Sequence, residues 1–256
     1  MSVLIFDTET NDRKNPEPIE IAYLRIGVKA SVLGEPIQRD LPITEEFEQR
    51  YKPSRKVTFG SIAVHHILPH ELEGCLSSDS FVLADSVEAI VGHSIDFDWR
   101  AISSPNVLRI CTHAMAQHVW QDADGYSQSA LIYMLHGANE TTRAMLSGAH
   151  GALTDVCNNR LLLLAILKER PEILTWQDLW LFSEECRIPR TCPMRRYEGV
   201  PLDELDDGFI EWCLRLDDLD PYYRKGLERV MRDRYGAKDY DDDQDFAEVE
   251  DDEFPF

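Results

Sequence analysis

Cysteine is sparse and scattered: six in 256 residues, with no C-x-x-C pair among Cys75, Cys111, Cys157, Cys186, Cys192 and Cys213. That spacing argues against a zinc site and against a disulfide framework, and for reduced thiols in a cytoplasmic protein. Long apolar runs are missing too. No stretch approaches the ~20 residues of a membrane span, so no membrane partner is expected. The opening residues lack a basic start and run straight into acids, unlike a signal peptide. Basic residues are the third scarcity: 26 Lys and Arg stand against 47 Asp and Glu, for a net charge of −21. Spread evenly, that charge would repel a nucleic-acid partner. It is uneven, however. Residues 239–256 carry ten acids and no base, and without them the balance is 37 acids to 26 bases. Any nucleic-acid contact must therefore rely on local basic patches and bound cations.

What is present reads as an α/β chain. The length suits one good core with a small second module. "SVLIF" at residues 2–6 is a nearly all-apolar strand, and "PIEIAYLRIGV" (18–28) is a second, apolar on both faces as a central strand requires. "GEPIQRDLPI" reads as a turn and an edge strand. "SIAVHHILPHEL" is a short apolar stretch broken by Pro69. Residues 89–102 and 107–120 each pass from strand to helix. Residues 127–137 form a helix capped by Ser127 and ended by Gly137. Residues 152–170 form a long apolar helix stopped by Pro171. Strands first and strands mixed with helices later indicate a layered α/β fold over residues 1–170. Beyond it, 171–236 is expected as a small helical module opening on a capping box at Thr175. Residues 237–256 have no apolar periodicity and are expected to be disordered.

Two carboxylates end the first strand, Asp7 and Glu9. Side chains at i and i+2 of a strand face the same way, so the pair repels itself unless a proton or a cation intervenes. Further acids stand at comparable junctions: Asp98 just past an apolar strand, and Asp155 at the start of the long helix, five residues after His150. Hard oxygen donors of this kind select Mg²⁺ or Mn²⁺. Four carboxylates suffice for two ions about 4 Å apart, the arrangement used for in-line displacement at phosphorus. One ion activates the attacking water and the other steadies the leaving 3′-oxygen. His150 is the candidate general base, since imidazole takes up a proton near neutral pH.

F-D-T-E-T, G-H-x-x-x-F-D and H-x-x-x-x-D, in that order, resemble the motif set of the DnaQ-like (DEDDh) 3′–5′ exonucleases over about residues 1–170. "ICTHAMAQHVW", "YSQSALIYML" and "YEGVPLDELDDGFIEWCLRL" are similar to the exodeoxyribonuclease X branch of that family. The resemblance implies a ribonuclease H-like mixed five-stranded sheet flanked by helices. It implies a two-metal enzyme that releases nucleoside 5′-monophosphates from DNA 3′ ends, with Mg²⁺ as cofactor and Mn²⁺ able to substitute. Asp7, Glu9, Asp98 and Asp155 match the metal ligands and His150 the base, while Thr8, His65, Arg195 and Arg196 are candidate nucleic-acid contacts. The chain has His93-Ser94 where the family usually has His-Asn. It has "MRRYEG" where that branch reads F-G-K-Y-K-G. Single-stranded or frayed-end DNA is the implied substrate. A ribonuclease or a proofreading subunit of the same fold remains open, as does a non-catalytic nucleic-acid-binding scaffold.

The other residues have plainer readings. His93 is expected to pack or hydrogen-bond within the fold, and His113, His118 and His136 to be surface or helix-packing residues. Trp176, Trp180 and Trp212 are expected in cores. In "PYYRKGLERVMRDR", Tyr223, Leu227, Val230 and Met231 fall on one side, and Arg224, Lys225, Arg229 and Arg232 largely on the other. Asp251, Asp252, Glu253, Phe254, Pro255 and Phe256 resemble the acidic tip of bacterial single-stranded DNA-binding proteins. Three roles are open for them: recruiting a replication or repair protein, covering the enzyme's own basic patch, or solubilising the chain.

Overall fold

The strand opened by Val3, Leu4, Ile5 and Phe6 is buried on both faces, so it must lie inside a sheet. The computed structural model, which describes residues 1–28 and 31–236, places it there as β1 (Ser2–Thr10). β1 pairs antiparallel with β2 (Pro18–Gly27), which pairs antiparallel with β3 (Ile43–Lys52); the two-residue β4 (Leu76–Ser77) runs parallel to β3. On its other side β1 pairs parallel with β5 (Val87–Gly92), followed by parallel β6 (Leu108–Cys111). The sheet order is β4-β3-β2-β1-β5-β6. This is the expected mixed sheet flanked by helices, extended at one edge by β4.

One face of the sheet carries Val3, Ile5, Leu24, Val91 and Ile110, and α6 (Ala152–Glu169) covers it with Val156, Leu163, Ile166 and Leu167. The other face carries Leu4, Phe6, Ile21, Tyr23 and Ile90, and packs against Ile95, Ala114 and the aromatic ring of Phe81. Around this sheet run α1 (Phe59–His65), α2 (Asp96–Ala101), α3 (Thr112–Val119), α4 (Gln128–His136) and α5 (Glu140–Met145). The helix caps expected at Ser127 and Thr175 are formed.

Two expectations need correction. The edge strand expected at "GEPIQRDLPI" is a 3-10 turn at Val32–Gly34 with an isolated bridge from Pro36 to Thr175; the strand beside β2 is β3, "ITEEFEQRYK". The boundary expected at residue 170 lies instead after Arg187, where the first compact unit ends. Pro171 stops α6, but the chain turns back onto the same core. α7 (Trp176–Cys186) buries Trp176 and Leu179 in it. Arg39 fastens the turn by donating to the carbonyls of Leu167 (2.6 Å) and Pro171 (2.9 Å).

The second unit begins at Ile188. Its core gathers Cys192, Leu202, Phe209, Cys213, Tyr223 and Leu227 between α8 (Asp207–Leu214) and α9 (Pro221–Tyr235). Tyr223, Leu227 and Met231 face inward as expected, with Val230 partly buried. Arg224 leaves the solvated face to donate to the carbonyls of Leu214 and Leu216, both at 2.6 Å. All six cysteines are free thiols. Among the described residues, no helix is long and apolar enough to cross a membrane. The tip Asp251–Phe256 lies outside the described residues.

Candidate active site

Asp7 and Glu9 lie on the same face of β1 as Val3 and Ile5, at the strand's carboxyl end. α6 lies across that face and delivers Asp155 from its first turn. Oxygens of Asp7, Glu9 and Asp155 fall within 4.8 Å of one another. Asp98 arrives from α2, which follows the neighbouring parallel strand β5, and it is buried. Its Oδ1 accepts from Thr8 twice, from the backbone N–H at 2.9 Å and from Oγ1 at 2.7 Å. The four acids thus meet where the parallel strands β1 and β5 end, the usual place for a site in a sheet of this kind.

The electrostatics there are unfavourable for bare carboxylates. Burial, then the charges of Asp98, Asp155, Glu9 and Glu20, pushes Asp7 well above the carboxylate range. Burial and the neighbouring acids push Glu9 up to about 9. Burial raises Asp98 to about 7 against the pull of Thr8's two hydrogen bonds, and burial raises Asp155 to about 6 against the pull of His150. Such a cluster accepts either protons or a cation. Its all-oxygen donor set fits a divalent ion of the Mg²⁺ or Mn²⁺ type.

The cleft above the acids has a volume of about 570 Å³. His150 lines it, exposed and held at φ 66°, with its backbone N–H donating to Asp155 Oδ2 at 3.1 Å. His65 also lines it. Its Nδ1 accepts from the Ile67 backbone N–H at 2.9 Å, so Nε2 carries the proton, and burial lowers its pKa. His66 caps α1 in the left-handed region and is exposed. His93 is a supporting residue: Nε2 donates to the Tyr126 carbonyl at 2.8 Å, Nδ1 meets Thr112 Oγ1 at 3.1 Å, and burial lowers its pKa to about 4. His113 stacks edge-on against His93, and His118 against Phe182. Trp176 is in the core, and Trp180 and Trp212 are partly buried against theirs.

Of the candidate nucleic-acid contacts, His65 reaches the cleft with a side chain and Thr8 has its hydroxyl committed to Asp98. Arg195 and Arg196 lie exposed in the second unit, Arg196 over the Tyr197 ring. Sequence reasoning missed Arg13, Phe97 and Arg100 on the cleft wall. Phe97 and Arg100 flank Asp98, so helical neighbourhood to a motif acid was an available signal. Arg13 sits in the loop between β1 and β2, where no periodicity marks it.

The sheet order and the flanking helices define a ribonuclease H-like mixed α/β fold. The chain is similar to a solved exonuclease X in complex with 5′-overhanging duplex DNA, at 24% identity and a TM-score of 0.54 over 71% of this chain and 99% of that one. It is also similar to Escherichia coli exonuclease I in complex with a dA16 oligonucleotide, at 15% identity and a TM-score of 0.51. There it covers 73% of this chain and spans 44% of that one. Neither a protein-family model nor a curated protein matches the sequence.

Proposed function

We propose that this chain is a divalent-metal-dependent 3′–5′ exonuclease that releases nucleoside 5′-monophosphates from the 3′ end of single-stranded or frayed DNA. The observation that carries this reading is the convergence of Asp7, Glu9, Asp98 and Asp155 beside His150. The likeness of the fold to exonuclease X supports it. Asp7, Glu9, Asp98 and Asp155 would hold Mg²⁺, with Mn²⁺ able to substitute. Bound there, the metal supplies Lewis acidity toward the attacking water and the leaving 3′-oxygen. Asp7 and Glu9 orient their carboxylates from a rigid strand. Thr8 holds Asp98 in one rotamer through both of its donors. His150 accepts the proton of the attacking water from the rim of the cleft. Arg13 and Arg100 take the phosphates of the incoming strand. They line the cleft and, among the described residues, have no carboxylate partner in a chain rich in acids. Arg195 and Arg196, exposed in the second unit, are that unit's own candidates for phosphate contact. The acidic tip recruits a replication or repair protein or restrains DNA binding.

The test is one digest of 3′-labelled DNA and of the matched RNA with Mg²⁺, reading the products. Mononucleotides from DNA are expected, with no turnover by Asp7→Ala. His150→Ala should lose about 100-fold in rate, the usual contribution of a general base. An untouched DNA strand rejects the reading, and faster release from RNA makes the chain a ribonuclease of this fold. Arg13→Ala and Arg100→Ala should each weaken DNA binding and reduce the salt slope by about one.

A further inference from the structure

Three residues stand in register across the sheet on one face: Glu9 on β1, Glu20 on β2 and Arg50 on β3. Glu9 belongs to the acid cluster. Glu20, buried at 5% exposure, makes two contacts that fix its carboxylate. Oε1 accepts from Arg50 Nε at 3.0 Å, and Oε2 accepts from the backbone N–H of Ala152 at 3.1 Å. Ala152 is the first residue of α6, and the helix has no side-chain cap of its own because Gly151 precedes it. The acceptor that its first turn requires is therefore supplied from another strand. Three residues along is Asp155, which accepts from the His150 N–H. Arg50 Nη1 also donates to Glu71 Oε1 at 2.8 Å, and Glu71 Oε2 accepts from Leu68 N at 2.7 Å, three residues past His65, which lines the cleft.

We propose that Glu20 is a positioning residue: it seats the start of α6, and with it Asp155 and His150, and through Arg50 and Glu71 braces that helix start against the segment carrying His65. A buried acid beside two others is a poor choice for stability alone, since an apolar residue of similar volume avoids both the repulsion and the desolvation. What the acid contributes is an acceptor at a fixed distance from Ala152. The seat at Ala152 follows from length and hydrogen bonding, while the brace to Arg50 also uses the charge.

This inference rests on the nuclease reading, and two near-isosteric variants of the full chain test it. Glu20→Gln keeps the reach and one acceptor oxygen, enough for the Ala152 N–H, while its amide nitrogen takes the place of the oxygen that accepts from Arg50. Glu20→Asp keeps the charge but withdraws the acceptor by one methylene. Positioning predicts that Glu20→Asp loses about 10–100-fold in kcat with KM little changed, the scale seen when partners that orient metal ligands are removed. Glu20→Gln, which loses the brace to Arg50 but keeps the acceptor at Ala152, should lose clearly less than Glu20→Asp. Calorimetric titration with Mg²⁺, without DNA, should show weaker binding by Glu20→Asp than by Glu20→Gln. Equal behaviour of the two variants, or greater damage in Glu20→Gln, would overturn the proposal. If the unaltered chain digests no DNA, the nuclease reading fails by itself, while the Mg²⁺ titration still decides whether Glu20 positions the acid cluster.

Discussion

At the scale of the residue, the acid cluster makes the fold and the chemistry pull in opposite directions. Outside a fold, carboxyls ionise near pH 4. Here Asp155, Asp98 and Glu9 are pushed to about 6, 7 and 9. Between those limits the folded chain binds more protons than the unfolded one, so its metal-free stability should fall as pH rises from about 4 to about 9. A divalent cation bound by these acids would displace those protons. The gain in Tm from Mg²⁺ should therefore grow across the same interval, which melting curves with EDTA or Mg²⁺ at about pH 5, 7 and 9 will show. A gain that shrinks with pH would mean that these acids do not hold the ion. Asp7→Asn removes a group that, without metal, must either hold a proton or repel its neighbours. It should melt roughly 2–4 °C higher than the unaltered chain without metal, lose the Mg²⁺ response and lose all turnover. The four acids and His150 are legible in the sequence, because each stands at the end of an apolar strand or the start of an apolar helix and the spacing within each motif is local. Glu20 is not. Its partners are 30 and 132 residues away, and only strand register and the docking of α6 bring them together.

At the scale of the element, the site depends on how tightly β5 turns into α2. Gly92 ends β5, and a Cβ there would stand 2.5 Å from Ile95 Cδ1 and 3.1 Å from the Phe6 carbonyl oxygen. The Phe6 carbonyl is backbone of β1 and cannot retreat cheaply. Gly92→Ala should therefore push α2 outward, carry Asp98 away from Thr8 and lower kcat while the chain still melts cooperatively. Unchanged kinetics would show that the junction has slack. β2 was readable because it is buried on both faces and so apolar on both. β3 was missed because "ITEEFEQRYK" is mostly exposed, and its acids and bases carry no apolar alternation. Its place in the sheet is set by pairing with β2, including the Tyr23–Phe47 ring stack and the ion pair from Arg25 to Glu45. α7 was assigned to the wrong unit for a different reason. Pro171 is a genuine helix stop, but a stop says nothing about where the next helix packs. Ile173, Trp176 and Leu179 return it to the first core.

At the scale of the whole molecule, the nuclease reading asks how a chain of net charge −21 would engage a polyanion. The cleft contributes Arg13 and Arg100, and the metal ions would offset the acids they bind. Against these stands the segment 239–256, ten acids without a base, which holds nearly half of the net charge. Its field opposes DNA at distances up to the Debye length, about 10 Å at 0.1 M salt and about 3 Å at 1 M. If the segment competes with DNA for the enzyme's own arginines, removing it should tighten DNA binding and speed digestion at low salt, and the two forms should converge at high salt. If it serves instead as an anchor for another protein, the truncated chain should digest DNA as the full chain does. A replication or repair partner captured by the full chain should then be lost, and removing Phe256 alone should reproduce that loss. These outcomes separate because screening acts on a field and leaves an apolar ring in a pocket largely untouched. A full salt titration of binding and rate for both forms, with a pull-down using the full chain, the truncation and the chain lacking Phe256, decides between them. Identical curves and identical captures would assign the segment to solubility alone.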